Sequence, residues 1–291
     1  MRILITGGAG NIGRELVRRA LAAGNEVTVF DIPPANYEGL EGKEGITVVK
    51  GFVTDTEAMA QAVKGVDAVI HLAALMTHLS TDREKTMSVN VGGTKTVLDA
   101  LKKEGRDVQF VFSSSVSTYG WTTEDTPPIK IDHSQVGMDL YAESKIEAEK
   151  VVLASGVPYT ILRITGVVIP QFYDPNPWQF LKDQRVEFVA RDDVAAALYS
   201  AAVTREARNK IFNIAGGKEW QMLGHEWAAK HLAVLDFPLE EAEYSEHPGW
   251  FDWYDTEEGQ AILKYQNTTP EMFFEQLAEA VEAFYNEDDE E

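Results

Sequence analysis

The amino-acid sequence predicts an α/β fold: a doubly wound parallel sheet with helices on both faces and a smaller C-terminal region. Three observations predict it. Short apolar runs alternate with segments of helical spacing through the first half of the chain. The runs are near-continuously apolar, as strands covered on both faces are. A glycine-rich turn joins the first run to the first helical segment.

The elements follow in order. RILIT is the first strand, beginning at Arg2, and TGGAGNIG follows it. NIGRELVRRALAAG has helical spacing and stops at Gly24, because glycine accepts the left-handed conformation that ends a helix. EVTVFD, ITVVKG and DAVIHLAA read as the second, third and fourth strands. MSVNVGGTKTVLDALKKEG reads as one long helix closing on Gly105, and VQFVFSSS as the fifth strand. YAESKIEAEKVVLASG is helical to Gly156, and YTILRIT is the sixth strand. This pattern assigns residues 1–165 to the sheet domain, with 188–215 returning to it. Residues 166–187 and 216–291 form the small region. The terminal NEDDEE is expected to fray into solvent.

The 291 residues are 44% hydrophobic and 25% charged, the composition of a soluble globular protein. The chain has no cysteine, which excludes disulfides, thiolate catalysis and cysteine-ligated zinc. His71 and His78 have no acidic residue close by in sequence, so no metal site is expected. No apolar run is long enough to span a membrane, and a strand starting at Arg2 leaves no room for a signal peptide; a cytoplasmic protein is expected. The net charge of −21 argues against nucleic-acid binding, which needs a basic face. The charge is uneven: residues 1–150 carry 16 basic and 21 acidic side chains, residues 151–291 carry 10 and 26.

Gly7, Gly10 and Gly13 give G-x-x-G-x-x-G between a strand and a helix. Glycine lets the backbone turn tightly and approach a pyrophosphate, and the free N–H groups at Asn11 and Ile12 face the phosphates. Asp31 ends the second strand, 18 residues after Gly13, close to the spacing of an acid that accepts the adenosine ribose hydroxyls. The fold is therefore expected to be Rossmann-type. No Arg or Lys follows Asp31 until Lys43, so nothing in that stretch receives a 2′-phosphate, and NAD rather than NADP is the expected cofactor. Leu72, Ala73 and Ala74, in HLAA, are small or apolar enough for the loop to lie against the pyrophosphate. His71 reads as a packed residue at a strand end.

In YAESK, Tyr141 and Lys145 share one helical face. Taken alone this is a common spacing on surface helices. With its companions it is more informative. The chain resembles the extended short-chain dehydrogenase/reductase family, which includes nucleotide-sugar epimerases and dehydratases. The resemblance rests on TGGAGNIG, Asp31, HLAA, Asn90, FSSSVSTYG, YAESK, LRITG, DDVAAAL and FNIAGG, in the family's order over roughly residues 1–217. It implies a catalytic set of Ser115, Tyr141 and Lys145, with Ser113 and Ser114 the nearest competitors for the serine. A phenol with a pKa near 10 needs a nearby cation to act as a base at neutral pH. The resemblance implies that Lys145 supplies that cation and also binds the nicotinamide ribose. It makes Asn90 an orienting residue behind the active site, counted among the cofactor-binding residues, and implies a homodimer through the two helices MSVNVGGTKTVLDAL and YAESKIEAEKVVL. Both helices also carry apolar residues around more of their circumference than one sheet face can bury.

The chain departs from the family in three places. GFVTD puts Phe52 where an acid near adenine is usual, so adenine recognition falls to Phe52 packing and the Val53 backbone. The segment after Arg163 is short, and no arginine follows Arg208 in the acidic half, so a diphosphate substrate is disfavoured. Arg163, Arg185 and Arg191 remain candidate substrate clamps. Trp121 and Trp253, with the aromatics of HPGWFDWYDT and FYDPNPW, are candidates for an aromatic substrate wall or for a seal between the two regions. The resemblance then implies an NAD-dependent oxidoreductase acting on a secondary alcohol or ketone of a small sugar- or polyol-like molecule. A UDP-hexose 4-epimerase with tightly held NAD and a non-catalytic NAD-sensing protein are the alternatives.

Overall fold

The structure, a computed structural model, describes residues 1–172 and 177–288. The first half runs β1 (Arg2–Thr6), α1 (Asn11–Ala22), β2 (Glu26–Asp31), β3 (Ile46–Lys50), α2 (Thr56–Ala62), β4 (Ala68–His71), α3 (Arg83–Met87), α4 (Gly93–Glu104), β5 (Gln109–Ser115), α5 (Leu140–Leu153) and β6 (Tyr159–Ile164). Then come β7 (Gly166–Val168), β8 (Arg185–Ala190), α6 (Arg191–Val203), β9 (Lys210–Ile214), β10 (Gln221–Leu223), α7 (Gly224–Val234), α8 (Glu257–Leu263) and α9 (Pro270–Asp288). Seven strands form one parallel sheet in the order β3-β2-β1-β4-β5-β6-β9. The order reverses between β1 and β4, which opens a crevice at the C-terminal strand ends. The α/β, doubly wound, Rossmann-type architecture is therefore present.

Alternation along each strand sends neighbours to opposite faces. Ile3 and Ile5 pack with Leu16 and Val17 of α1 and Val194 and Leu198 of α6. Leu4 packs on the other side with Met59 of α2, Val97 and Leu101 of α4, and Val152 of α5. A second sheet, β10-β8-β7, carries its own aromatic core, which includes Trp178, Phe188, Trp220, Trp227 and Phe273. Strand β8 belongs to that small sheet, and α6 and β9 carry the chain back to the large one.

Three local expectations change. The long helix ending at Gly105 is interrupted: α3 and α4 are joined by a π-helical turn, Ser88–Gly92. Here a glycine pair lets α4 press on Val53; a Cβ at Gly93 would meet the Val53 Cγ2 at 2.5 Å. The tail is helical as far as Asp288, and residues 289–291 of the expected frayed end lie outside the described residues. The excess apolar surface expected of α4 is also absent. Val97, Leu98 and Leu101 are buried within the chain, and the outward face carries Lys95, Asp99 and Lys102 as ion pairs. No helix among the described residues is long and apolar enough to cross a membrane.

Candidate active site

The site is built at the C-terminal ends of β1, β2, β4 and β5. After Thr6 the chain turns at Gly7 (φ +72°), whose N–H donates to the Phe30 carbonyl at 2.8 Å. A Cβ on Gly13 would stand 2.3 Å from the Gly7 carbonyl oxygen and 2.7 Å from the Gly8 Cα, so only glycine lets α1 begin this close to the loop. A Cβ on Gly7 would lie 3.0 Å from the Ala73 nitrogen; the loop Leu72–Ala74 is therefore pressed on the glycine turn. The N-cap of α1 is Gly10, and no side chain caps it, whereas Asp55 and Asp139 cap α2 and α5. The N–H groups of the first turn of α1, from Asn11, are left to an outside acceptor.

Asp31 accepts the Ala9 N–H at 2.9 Å on one carboxylate oxygen and the Ile32 N–H at 2.8 Å on the other. Each oxygen keeps a lone pair for a further donor. Phe52 is 57% exposed beside this corner and Ile32 is 43% exposed; the two form an apolar rim. Val53 is buried against Gly93, and Ile32 had no signal in the sequence beyond following Asp31. The structure also brings up Arg14, whose guanidinium donates to the carbonyls of Ala9, Asn36 and Glu38.

His71 is 1% exposed, bonded to Thr6 at 2.7 Å and Thr94 at 3.1 Å; burial, then the Lys145 charge, push its pKa down to about 3. It is a neutral packing residue. Asn90 was expected among the cofactor contacts, but its amide is consumed by protein: it accepts the Leu75 N–H at 2.7 Å and donates to the Leu75 carbonyl and to Ser144 Oγ. It joins the loop after β4 to α5.

Ser115 ends β5 and Tyr141 lies in the first turn of α5, and the Ser115 hydroxyl is near enough to the phenol to act on its pKa. The Ser115 Oγ also accepts the Ser117 N–H at 3.1 Å. Ser113 instead offers its carbonyl to Lys145 Nζ at 2.7 Å, and the Ser114 hydroxyl donates to Glu149 at 2.5 Å. Lys145 Nζ lies 5.6 Å from the centre of the Tyr141 ring. Burial lowers the Lys145 pKa to about 8, against a raising effect of Glu149. Burial and then Asp139 raise the Tyr141 pKa above its ordinary value, opposed by the nearby Ser115 hydroxyl. The expected pull of Lys145 on the phenol does not overcome burial here, so Tyr141 is a neutral phenol in this state.

The proposed arginine clamps are otherwise engaged. Arg163 is 4% exposed; it makes a two-point pair with Glu149 and donates to Tyr119 Oη and the Ile131 carbonyl. Its charge lies in a buried network behind β5 and cannot reach a substrate. Arg185 pairs with Asp252 at 2.6 Å and donates to the carbonyls of Thr122, Thr123 and Asp125. Arg191 pairs with Asp192 and reaches Asn11 Oδ1 at 3.4 Å, so it flanks the glycine loop. Glu149 was missed by the sequence reading, although it lies four residues after Lys145 on the same helical face.

The aromatic stretch divides. Phe251 and Tyr254 are buried in the core, with Phe251 5.1 Å from Phe188. Trp253 lies along a different cleft, beside Pro128 and Lys130, with its indole N–H donating to the Met222 carbonyl. Trp250, with Trp121 and Trp178, instead lines a cavity of about 370 Å³ that also touches Ser117, Asp139 and Ala142. The wall forms around Trp250 rather than Trp253: residues 251–253 run without a turn, and side chains three apart on an extended chain face opposite sides. Residues 173–176 of FYDPNPW lie outside the described residues. Among the described residues no group of three or more His, Cys, Asp or Glu side chains is arranged to hold a metal.

Residues 3–182 match the model of the NAD dependent epimerase/dehydratase family. A 3 beta-hydroxysteroid dehydrogenase/Delta 5-->4-isomerase of Mycobacterium tuberculosis is 36% identical over 160 residues, 53% of this chain and 42% of that protein. A UDP-glucose 4-epimerase of Lacticaseibacillus casei is 31% identical over 176 residues, 57% of this chain and 52% of that protein. The chain thus spans about half the length of these curated relatives. A short-chain dehydrogenase/reductase superfamily protein of Agrobacterium tumefaciens with bound NAD superposes with a TM-score of 0.84 at 23% identity, covering 100% of both chains. A UDP-glucose 4-epimerase of Thermotoga maritima with UDP-glucose gives 0.82 at 21%, covering 98% of this chain and 100% of the other. At these identities the likeness speaks for the fold.

Proposed function

The chain belongs to the NAD dependent epimerase/dehydratase family, and from that membership we propose that it is an NAD-dependent oxidoreductase. Its substrate is a secondary alcohol or the corresponding ketone, sugar- or polyol-like and not linked to a nucleotide. The observation that carries the reading is the meeting of Ser115, Tyr141 and Lys145, with Lys145 Nζ 5.6 Å from the Tyr141 ring, in a fold that also leaves the glycine turn before α1 uncapped. The residues fit NAD. The glycine cradle has no room for a Cβ, Asp31 has acceptor capacity for the ribose hydroxyls, and Phe52 and Ile32 offer an apolar slot for adenine. Gly7, Gly10, Asn11, Ile12 and Gly13 would face the pyrophosphate, with Leu72, Ala73 and Ala74 as the opposing wall.

When bound, NAD supplies the hydride acceptor or donor and, oxidised, a positive ring. Ser115 would hold the substrate oxygen by a hydrogen bond. In reduction the neutral Tyr141 phenol donates its proton to that oxygen as the carbonyl carbon gains hydride. In oxidation Tyr141 Oη receives the hydroxyl proton, and Lys145 is the cation that favours the phenolate. Lys145, fixed on the Ser113 carbonyl, also has ammonium donors left for the cofactor ribose. A 4-epimerase uses the same residues, and the identity to the Lacticaseibacillus casei relative is the observation in its favour. Arg163 and Arg185, committed within the chain, count against a diphosphate substrate.

Tyr141→Phe tests the reading. It should leave the melting temperature and NAD affinity nearly unchanged and cut turnover by about 10²-fold or more. Lys145→Ala should lower both turnover and NAD affinity. Substantial turnover by folded Tyr141→Phe would show that another group handles the proton.

A further inference from the structure

The cavity at the three tryptophans adjoins the proposed catalytic set, although none of Ser115, Tyr141 and Lys145 lines it. Asp139 and Ala142, which line it, flank Tyr141 in sequence, and Ser117, also lining it, donates its N–H to Ser115 Oγ. Its volume of about 370 Å³ suits one small molecule. Trp121, Trp178, Trp250 and Met138 make its surface mainly apolar and flat. Such faces stack on the C–H face of a ring.

Charge narrows the choice. Among the described lining residues Asp139 carries the one charge, and its carboxylate already accepts the Ala142 N–H at 2.7 Å. A phosphate or carboxylate entering here would meet a like charge and find no cation on the wall. The adjoining cavity does contain Arg185 and Lys182, but the guanidinium is held by Asp252 and three carbonyls, and Lys182 shares its wall with Asp183.

We propose that this cavity binds the substrate as an uncharged ring stacked on the tryptophans. The inference rests on the oxidoreductase reading for the identity of that substrate. It excludes nucleoside diphosphates and sugar acids.

The test uses the full chain saturated with NAD. Cyclohexane-1,2-diol, myo-inositol, glucuronate and UDP are titrated by ligand-observed NMR, and NADH absorbance is followed in the same samples. Saturable binding of the diol, of myo-inositol or of both is expected; which one binds tells a hydrocarbon ring from a polyhydroxylated one. Glucuronate and UDP should not displace it. Trp121→Ala removes an exposed stacking face and should weaken binding by about tenfold or more. Trp250→Ala, on a separate segment, gives the same readout if Trp121→Ala does not fold. Binding of UDP or glucuronate in place of the neutral rings, no binding of either neutral ring, or unchanged affinity in the folded variants would overturn the proposal. Ring binding with no NADH from any ring alcohol would leave the cavity assignment standing and sink the oxidoreductase reading. NADH formed only with charged substrates would do the reverse.

Discussion

Asp31 receives two backbone N–H groups, from Ala9 and Ile32, and so stands fixed at the corner where an adenosine ribose would lie. A fixed carboxylate accepts from two ribose hydroxyls and repels a 2′-phosphate. The sequence shows no basic residue after Asp31 until Lys43, yet the fold brings Arg14 to the loop that follows β2. Its guanidinium is occupied by the carbonyls of Ala9, Asn36 and Glu38, which leaves the acid in control. NAD should therefore bind more tightly than NADP by about 1–3 kcal/mol, the worth of hydrogen bonds to a charged acceptor. Titration calorimetry with both nucleotides checks this, and equal or tighter NADP binding would contradict it. Asp31→Ala should weaken NAD and narrow the difference.

On α5, Tyr141, Lys145 and Glu149 follow one another at one-turn spacing, and a single helical face joins the proposed acid to the buried Glu149–Arg163 pair. On β8 the key group is Glu187, fully buried, which accepts from the Gly217 N–H, the Tyr254 N–H and the Gln221 amide. It ties β8 to the two segments that close the small region. Burial raises its pKa to about 7, against the opposing effect of those donors. A carboxyl with a raised folded-state pKa binds more protons folded than unfolded. Its contribution is complete below the unfolded value of 4.5 and is lost as pH rises through about 7. The loss is on the order of 3 kcal/mol at most, because each tenfold change in proton affinity between the folded and unfolded chain is worth about 1.4 kcal/mol. Thermal unfolding at pH 5 and pH 7.5 should show this decline in the wild type. In Glu187→Gln it should shrink, although stability at both pH values falls because the amide mismatches the Tyr254 N–H. An undiminished decline in the variant would assign it to other groups.

For the whole molecule, the proposed assembly is a homodimer through α4 and α5. The outward face of α4 is charged, so an interface there would join Lys95, Asp99 and Lys102 to complementary charges of the copy around half-buried Ile146 and exposed Leu153. Light scattering at micromolar concentration should give about twice the 32.3 kDa chain mass, and less in high salt, where charge pairs are screened. The monomer mass would refute it. The sequence by itself determined the parallel sheet, the glycine turn, Asp31 and the spacing of Tyr141 and Lys145, because period, glycine placement and one-turn spacing are local properties of a chain. The tertiary structure alone decided what each polar group does with its partners. Arg163 looks like a substrate clamp until Glu149 and Tyr119 are seen to consume it; Asn90 looks like a cofactor ligand until Leu75 and Ser144 take its amide. Trp250, Trp178 and Trp121 come from three distant stretches and meet at one cavity, while Trp253, three residues from Trp250, lies elsewhere. Burial and pairing depend on residues far apart in sequence, and no local pattern records them.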